Sequence, residues 1–370
     1  MTIAKGPGGE HMTEAEDTFL PDWGSPPGDS LGDLLGERGM TQTELAERLG
    51  VSLKHVNRTI KGAAPISPDL ALGLEKVFGA PATFWMTREA HYQAAQARQE
   101  ELEVLDQSAD WANNFPIKEL QRRGLIKGKA GAELVRELLG FFGVARPGQW
   151  KDPVAVFRKS AKVESDSFAL AAWLREGEIL ARDVSCEPYE QSRFLDVLQE
   201  VRGLTRLDPD GWWPELQEQC ASAGVAVVIV PSYPGERANG ATRWLGPDKA
   251  LIQLSLRYRW EDIFWFSFFH EAGHVVLHRK KDVFIEVAPR DRAGGVAERQ
   301  REEEADRFAS RTLIPDVNEH RLSTLTLGEI EGFARRLGIA PAIVLGRLQH
   351  DGRIPYSHGN DMRRRFVLDE

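Results

Sequence analysis

Hydrophobic positions recur at helical spacing through most of the first hundred residues. Between about residues 30 and 99 they return every three or four positions, with breaks at Gly39, at Gly50 and at residues 62–65 and 79–81. This pattern predicts five short helices. Residues 1–28 contain glycine, proline, serine and acidic residues without a hydrophobic period, so we predict a disordered N-terminal arm there.

The helical pattern continues beyond residue 100 and gives way to strand patterns after residue 224. Breaks at residues 113–116, 124–131 and 143–153 divide the helical segment. Runs rich in β-branched and apolar residues then predict short strands at 225–230, 241–245, 250–254 and 283–287. Further helices are predicted at 260–278, 295–313, 327–337 and 341–350.

Length and composition indicate a modular globular protein. The chain has 370 residues, against roughly 150 for an average domain, and 42% hydrophobic with 28% charged residues is an ordinary globular composition. We therefore predict a mainly helical α+β protein. Its expected parts are the arm at 1–28, a helical domain at 29–100, a helical spacer or scaffold at 101–190, a domain with a small β-sheet at 191–315, and a C-terminal helical subdomain and tail at 316–370.

Net charge and cysteine content narrow the classes of partner and metal site. The formal net charge of -9 argues against a protein that coats nucleic acid through its overall charge, but it is compatible with one local basic surface. Cys186 and Cys220 lack the short paired spacing of a thiolate metal site. Because the sequence shows neither a signal-peptide pattern nor a membrane-spanning apolar stretch, we expect a cytoplasmic protein without a membrane partner.

Two helices joined by a tight turn are predicted around residue 50. Thr41 and Glu44 have the spacing of a capping box, which marks a helix start. Gly50 can close that helix in the left-handed conformation, and Ser52 can cap the next one. A turn this short forces the two helices to cross steeply, as in a helix-turn-helix.

The second of these helices, at about 53–61, has a basic outer face without a carboxylate. Asn57 suits adenine and Arg58 suits guanine in the major groove, while lysines neutralise phosphates. The predicted DNA-contacting residues are Lys54, His55, Asn57, Arg58 and Lys61. The alternative is a helical bundle with a solvated charged face, and the tight turn favours DNA binding over it.

The stretch FFHEAGHVVLH, residues 268–278, is the candidate metal site. On a helix, His270 and His274 lie on one face, close enough to bind one zinc ion. Glu271 is then beside the metal, where it can accept a proton from water that the zinc activates. The alternative is that the two histidines are buried in a core and have their hydrogen bonds satisfied there. The neighbouring aromatic residues make such burial costly without a metal.

A third ligand is available about thirty residues downstream. Glu302 and Asp306 are four residues apart on the next strong helix, so Glu302 can complete the site while Asp306 accepts the second ring N–H of a ligating histidine. Glu303 and Glu304 are predicted to point elsewhere. The alternative is a solvated acidic face, which the packing residues Ala305 and Phe308 of that helix disfavour.

These motifs resemble two known families in one chain. Residues 29–98 resemble the lambda-repressor-like helix-turn-helix fold, especially the HigA-type antitoxins. Residues 251–278 and 302–315 resemble the ImmA/IrrE family of zinc metallo-endopeptidases. The resemblance implies a zincin-like C-terminal domain with one zinc per chain on His270, His274 and Glu302, and with Glu271 as general base. Mn²⁺, Fe²⁺ and Co²⁺ also suit these ligands.

The resemblance implies a transcriptional regulator with an endopeptidase domain. Expected partners are operator DNA and a cleaved regulatory protein such as a transcriptional repressor, in a stress, mobile-element or toxin–antitoxin response. A toxin partner and a homodimer are further candidates. The alternative is a HigA-like antitoxin or repressor whose zinc domain is structural or sensory. Tyr258 and Arg259, just before the motif, are candidates for stabilising an oxyanion or for packing.

Overall fold

A computed structural model describes residues 2–3, 25–151, 166–278, 284–287 and 296–368 of the chain. The molecule divides into two compact units. The first comprises His11–Ala112 and Lys127–Leu138, and the second comprises Met1–Glu10, Asn113–Ile126 and Leu139–Glu370. Most of the predicted arm at 1–28 lies outside the described residues.

The first unit contains the predicted series of helices. They are α1 (Pro27–Glu37), α2 (Gln42–Leu49), α3 (Leu53–Ile60), α4 (Pro68–Phe78) and α5 (Ala82–Asp106). The local signals read from the sequence are confirmed: the Thr41 hydroxyl accepts from the Glu44 N–H at 3.2 Å, Gly50 has φ 66°, and the Ser52 hydroxyl accepts from the His55 N–H at 3.2 Å. The helix caps that the predicted steep crossing of α2 and α3 requires are therefore present.

Two helix bounds in this unit differ from the prediction. Helix α1 begins at Pro27, inside the predicted arm, because proline suits the first helical turn and Gly28 lies directly against the backbone of Thr59 and Ile60. Helix α5 is not short: it continues past residue 100 to Asp106. Since no glycine or proline occurs within it, nothing in the sequence ends it at residue 100.

The other described elements follow in order. The helices are Ala109–Ala112, Ile117–Arg122, Gly131–Phe142, Ser167–Asp183, Gln191–Leu204, Pro209–Ser222, Glu261–Leu277, Val296–Leu313, Glu319–Ser323, Ile330–Leu337 and Pro341–His350, and 3-10 turns lie at Pro147–Gln149, Asp316–Asn318, Leu327–Glu329 and Asn360–Met362. The strands are β1 (Thr2–Ile3), β2 (Val225–Ile229), β3 (Ala238–Trp244), β4 (Ala250–Leu254), β5 (Phe284–Val287) and β6 (Val367–Leu368). The predicted mainly helical α+β class is confirmed.

A four-stranded sheet organises the second unit. Its order is β2-β4-β3-β5, with β2 parallel to β4 and with β3 antiparallel to both β4 and β5, while β1 pairs with β6 apart from it. Strand β3 therefore lies between β4 and β5. All five residues of β4 are buried, as expected for a strand covered on both faces.

One helix of the predicted spacer belongs to this sheet layer. The Trp173 indole of Ser167–Asp183 donates to the Val230 carbonyl at 2.8 Å, and the Gln253 amide donates to the Trp173 carbonyl at 2.7 Å. Gly177 lies against the Gln253 side chain, so only a residue without Cβ fits there. The helical pattern predicts this helix, and its contacts with the sheet are those of a scaffold element; sequence periodicity alone does not show what a helix packs on.

A large aromatic-rich core lies in the second unit. The residues at its centre include Trp212, Phe264, Trp265, Phe268, Phe269, Ile330, Val344 and Phe366. They come from both sides of residue 315, so the predicted division there does not separate two cores. Among the described residues, no helix is both long and apolar enough to cross a membrane.

A buried ion pair fixes the C-terminal segment beside this core. Arg363 donates to both carboxylate oxygens of Asp262, at 2.7 and 2.6 Å from Nη2, and both side chains are 9% exposed. Removing one partner leaves the other charge buried, which costs far more than losing an exposed pair.

We expect Arg363→Ala to lower the free energy of unfolding by about 3–5 kcal/mol, because Asp262 then stays buried without its cation. Arg311→Ala is the matched control, since the Arg311–Asp316 pair is 63% and 57% exposed and should contribute at most about 1 kcal/mol. Urea denaturation of both variants measures the difference. Equal losses in the two variants would contradict the assigned importance of the buried pair.

Candidate metal centre and candidate DNA interface

The helix Glu261–Leu277, here called the motif helix, carries the candidate metal-binding histidines in the interior of the second unit. It contacts β3, β4 and the helix Val296–Leu313, here called the acidic helix. The two helices approach closely at Gly273, where an added Cβ would lie 3.2 Å from the Ala305 Cα. The Gly of the HEAGH stretch therefore brings the acidic helix within reach of the histidines.

Three side chains that the sequence singled out as candidate ligands converge from these two helices. Potential ligand atoms of His270, His274 and Glu302 all lie within 4.8 Å of one another. The two Nε2 atoms are 3.0 Å apart, and each lies 3.4 Å from a Glu302 oxygen. Ligand atoms at about 2.0–2.2 Å from one tetrahedral zinc are about 3.3–3.5 Å apart, so this group could hold a metal ion.

The second ring nitrogen of His270 faces Asp306. Its Nδ1 lies 2.8 Å from Asp306 Oδ1, and a carboxylate oxygen can only accept, so the Nδ1–H donates. The Nε2 lone pair of His270 then points towards Glu302 and His274. A carboxylate behind a histidine in this way fixes the tautomer that a metal requires.

Burial sets the protonation states of the converging residues. It lowers the pKa of His274 to about 4, so this imidazole is neutral at pH 7. Burial opposes ionisation of Glu302, but its contacts with His270 and His274 outweigh burial and hold the pKa of Glu302 well below its usual range. A neutral imidazole and an ionised carboxylate are the forms that bind metal.

Glu271 is held beside this group by β3. Its side chain is fully buried, and the Thr242 hydroxyl donates to its backbone carbonyl at 3.0 Å. An added Cβ at Gly240 would lie 2.7 Å from Glu271 Oε1. Gly240 thus gives the carboxylate room against the strand, and a glycine within a strand pattern is a sequence signal for such a close approach.

Two further residues near the histidines were missed or misplaced by sequence reasoning. The sequence indicates only a surface position or local hydrogen bonding for His278, and it predicts that Glu304 points elsewhere. Instead His278 Nδ1 lies 2.9 Å from His274 Nδ1, and His278 Nε2 lies 3.2 Å from Glu304 Oε2. The four-residue spacing between His274 and His278 was the available signal, since such residues are neighbours on a helix.

Phe284 and the loop before the motif helix complete the surroundings. The ring of Phe284, on β5, stacks on His274 with centroids 4.1 Å apart, a contact between distant segments that no sequence pattern indicated.

Arg259 has φ 58°, and its carbonyl accepts from the Phe366 N–H at 2.7 Å. Tyr258 is 39% exposed. The Phe366 contact fixes the backbone at Arg259, and neither Tyr258 nor Arg259 is assigned as the oxyanion donor.

Helix α3 presents part of the predicted basic face. Lys54, Arg58 and Lys61 are exposed, whereas His55 and Asn57 are half-buried. The Asn57 amide donates to Gln42 Oε1 at 3.2 Å because α2 and α3 cross closely. The prediction that all five side chains lie outside was therefore too broad. Leu53, at the start of α3, is 47% exposed and is not among the predicted contacts.

Comparison with known proteins identifies both regions. A helix-turn-helix family profile matches residues 31–85, and the profile of the IrrE N-terminal-like domain, a metallopeptidase family, matches residues 261–349. The chain thus combines an N-terminal helix-turn-helix domain of the kind found in transcriptional regulators with a C-terminal IrrE-like domain.

Individual relatives match the N-terminal region. An HTH-type transcriptional regulatory protein from Pyrococcus furiosus is 46% identical over 54 residues, which are 15% of this chain and only 17% of that protein. The antitoxin HigA from Pseudomonas aeruginosa, solved with the higBA promoter, is 30% identical over 22% of this chain and 94% of its own, with a TM-score of 0.21. A HigA-family antidote protein from Coxiella burnetii is 28% identical over 22% of this chain and 91% of its own, also with a TM-score of 0.21.

Elemental analysis of protein purified without chelator tests the converging donors. We expect about one zinc per chain in the wild type and little or none in Glu302→Ala, because two histidines alone leave the ion without its third protein ligand. Glu303→Ala, on the exposed side of the same helix, should keep the wild-type content. Zinc retained by Glu302→Ala would exclude that carboxylate as a ligand.

Proposed function

We propose that this protein is a DNA-binding transcriptional regulator whose C-terminal domain is a zinc-dependent endopeptidase of narrow specificity. The observation that carries the proposal is the convergence of His270, His274 and Glu302 with a buried carboxylate, Glu271, directly next to the first of them in sequence. A structural metal site needs ligands but has no use for such a base.

The proposed ligands are His270, His274 and Glu302, with Asp306 orienting His270. A zinc ion bound there would polarise a peptide carbonyl and lower the pKa of water towards about 7. Glu271 would accept the proton from the attacking water and pass it to the leaving amine. Gly240 and Thr242 hold Glu271 in place for both transfers, and burial keeps bulk water from competing.

The proposed substrate is a loop of another regulatory protein, such as a transcriptional repressor. A protease that is fused to a transcriptional regulator is expected to cleave one partner protein and not to degrade many proteins. We therefore assign the activity to a stress, mobile-element or toxin–antitoxin response. The exposed 16% of the Glu302 side chain marks the side from which a peptide would approach, since His270 and Glu271 are fully buried.

That same burial favours a second candidate function. His270 and Glu271 are 0% exposed and His274 is 1% exposed, which suits a zinc that only stabilises or senses. In this alternative the protein is a HigA-like antitoxin or repressor without proteolytic activity. Substitution of the proposed base distinguishes the two functions.

We expect Glu271→Gln to keep the wild-type zinc content but to lose cleavage of the repressor, because the amide cannot accept the proton. Glu303→Gln makes the same chemical change on an exposed residue and should cleave at the wild-type rate. Cleavage is followed by gel electrophoresis of the repressor after co-expression with each variant. Undiminished cleavage by Glu271→Gln would falsify the mechanism.

The N-terminal domain is proposed to bind an operator through α3, and paired half-sites would suit a homodimer. Lys54, His55, Asn57, Arg58 and Lys61 remain the proposed contacts. Asn57 and Arg58 hydrogen-bond Gln42 and the Ala63 carbonyl in the free chain, so each must exchange that partner for DNA. A toxin that binds this protein would fit the antitoxin context.

Arg58→Ala should weaken operator binding by about 1–3 kcal/mol if Arg58 reads a base. Arg98→Ala removes the same charge from the exposed part of α5 and should have little effect. Fluorescence anisotropy with the promoter of the protein's own gene measures both affinities at one salt concentration. Equal affinities for the two variants would move the recognition surface away from Arg58.

A further inference from the structure

The two candidate histidine ligands are oriented in different ways. His270 donates directly to the carboxylate of Asp306, at 2.8 Å. His274 instead faces a third histidine, with its Nδ1 2.9 Å from the Nδ1 of His278, and only beyond that ring does a carboxylate follow, Glu304, at 3.2 Å from His278 Nε2. Which ring nitrogen of His274 carries its proton therefore depends on which ring nitrogen of His278 carries one.

Hydrogen-bond chemistry allows one arrangement for neutral rings. An ionised carboxylate only accepts, so the contact with Glu304 requires the proton of His278 on Nε2. Its Nδ1 then carries a lone pair and must accept from the Nδ1–H of His274. The remaining lone pair of His274 lies on Nε2, the atom that is 3.4 Å from Glu302. Glu304 thus determines, through His278, which nitrogen of His274 is available as a ligand.

We propose that His278 and Glu304 are positioning residues for the metal centre, acting together through His274. This inference rests on the proposed metal site and deepens it. The reverse tautomer of His274 would place a proton on Nε2 and prevent ligation. His278 and Glu304 together exclude this tautomer of His274 before a metal binds. Asp306 does the same for His270 through a direct hydrogen bond.

The surroundings hold this pair in one geometry. The Gln300 amide donates to the other oxygen of Glu304 at 3.0 Å, and the His278 side chain is 5% exposed. Phe284 stacks on His274 and lies 5.1 Å from His278 between ring centroids, which limits rotation of both rings. Since Glu302 and Glu304 share the acidic helix, that helix supplies one ligand and orients another.

Zinc affinity measured by competition with a chromophoric chelator tests the proposal on the full chain. We expect His278→Leu to weaken zinc binding by about 10–100-fold, and Glu304→Ala by a factor towards the lower end of that range, because His274 then populates both tautomers. His278→Asn keeps an acceptor close to the position of Nδ1 and should restore most of the affinity. Glu303→Ala is the matched control on the same helix and should bind as the wild type does.

The double variant His278→Leu with Glu304→Ala gives the sharpest test. Because Glu304 acts through His278, the double variant should bind zinc no more weakly than His278→Leu alone, whereas independent contributions would multiply. Thermal unfolding of the metal-free proteins verifies that each variant is folded. Wild-type affinity in a folded His278→Leu, or multiplicative losses in the double variant, would overturn the inference and leave the metal site intact. A wild type that binds no zinc would overturn the proposed function and this inference together.

Discussion

Burying two imidazoles and a carboxylate on one helix is the constraint on which the second unit depends. The motif helix is surrounded by aromatic and aliphatic residues, so His270, Glu271 and His274 have no access to bulk water. Polar groups left unsatisfied in such surroundings cost roughly 1–3 kcal/mol each, and charged groups cost more. The neighbouring elements must therefore supply partners to this helix at defined positions.

The acidic helix meets much of this requirement. Glu302 and Asp306, one turn apart, both reach the histidine face of the motif helix, and Glu304 meets His278 where the motif helix ends. The close approach requires Gly273 in the motif helix and Ala305 in the acidic helix, since a larger side chain would separate the two backbones. Small residues at the helix contact thus determine whether the carboxylates reach the imidazoles.

The helix-turn-helix region depends on interactions of shorter range. Its turns are specified by caps within four residues of the helix starts and by glycines in the left-handed conformation, so α2 and α3 followed directly from the sequence. The contact of Asn57 with Gln42, fifteen residues away, is set by the crossing of those helices and was not predictable from either helix alone.

The sequence by itself determined the mainly helical class, the bounds of the motif helix to within a residue and the three residues whose ligand atoms converge. It could do so because helical periodicity and the spacing of His270 and His274 are local properties of the chain. Only the tertiary structure decided that a supposed spacer helix packs on the sheet, that Gly240 lies against Glu271, and that Glu304 turns to His278. These features depend on how closely distant segments approach, and that distance is set by side-chain volumes across the core, which no single segment encodes.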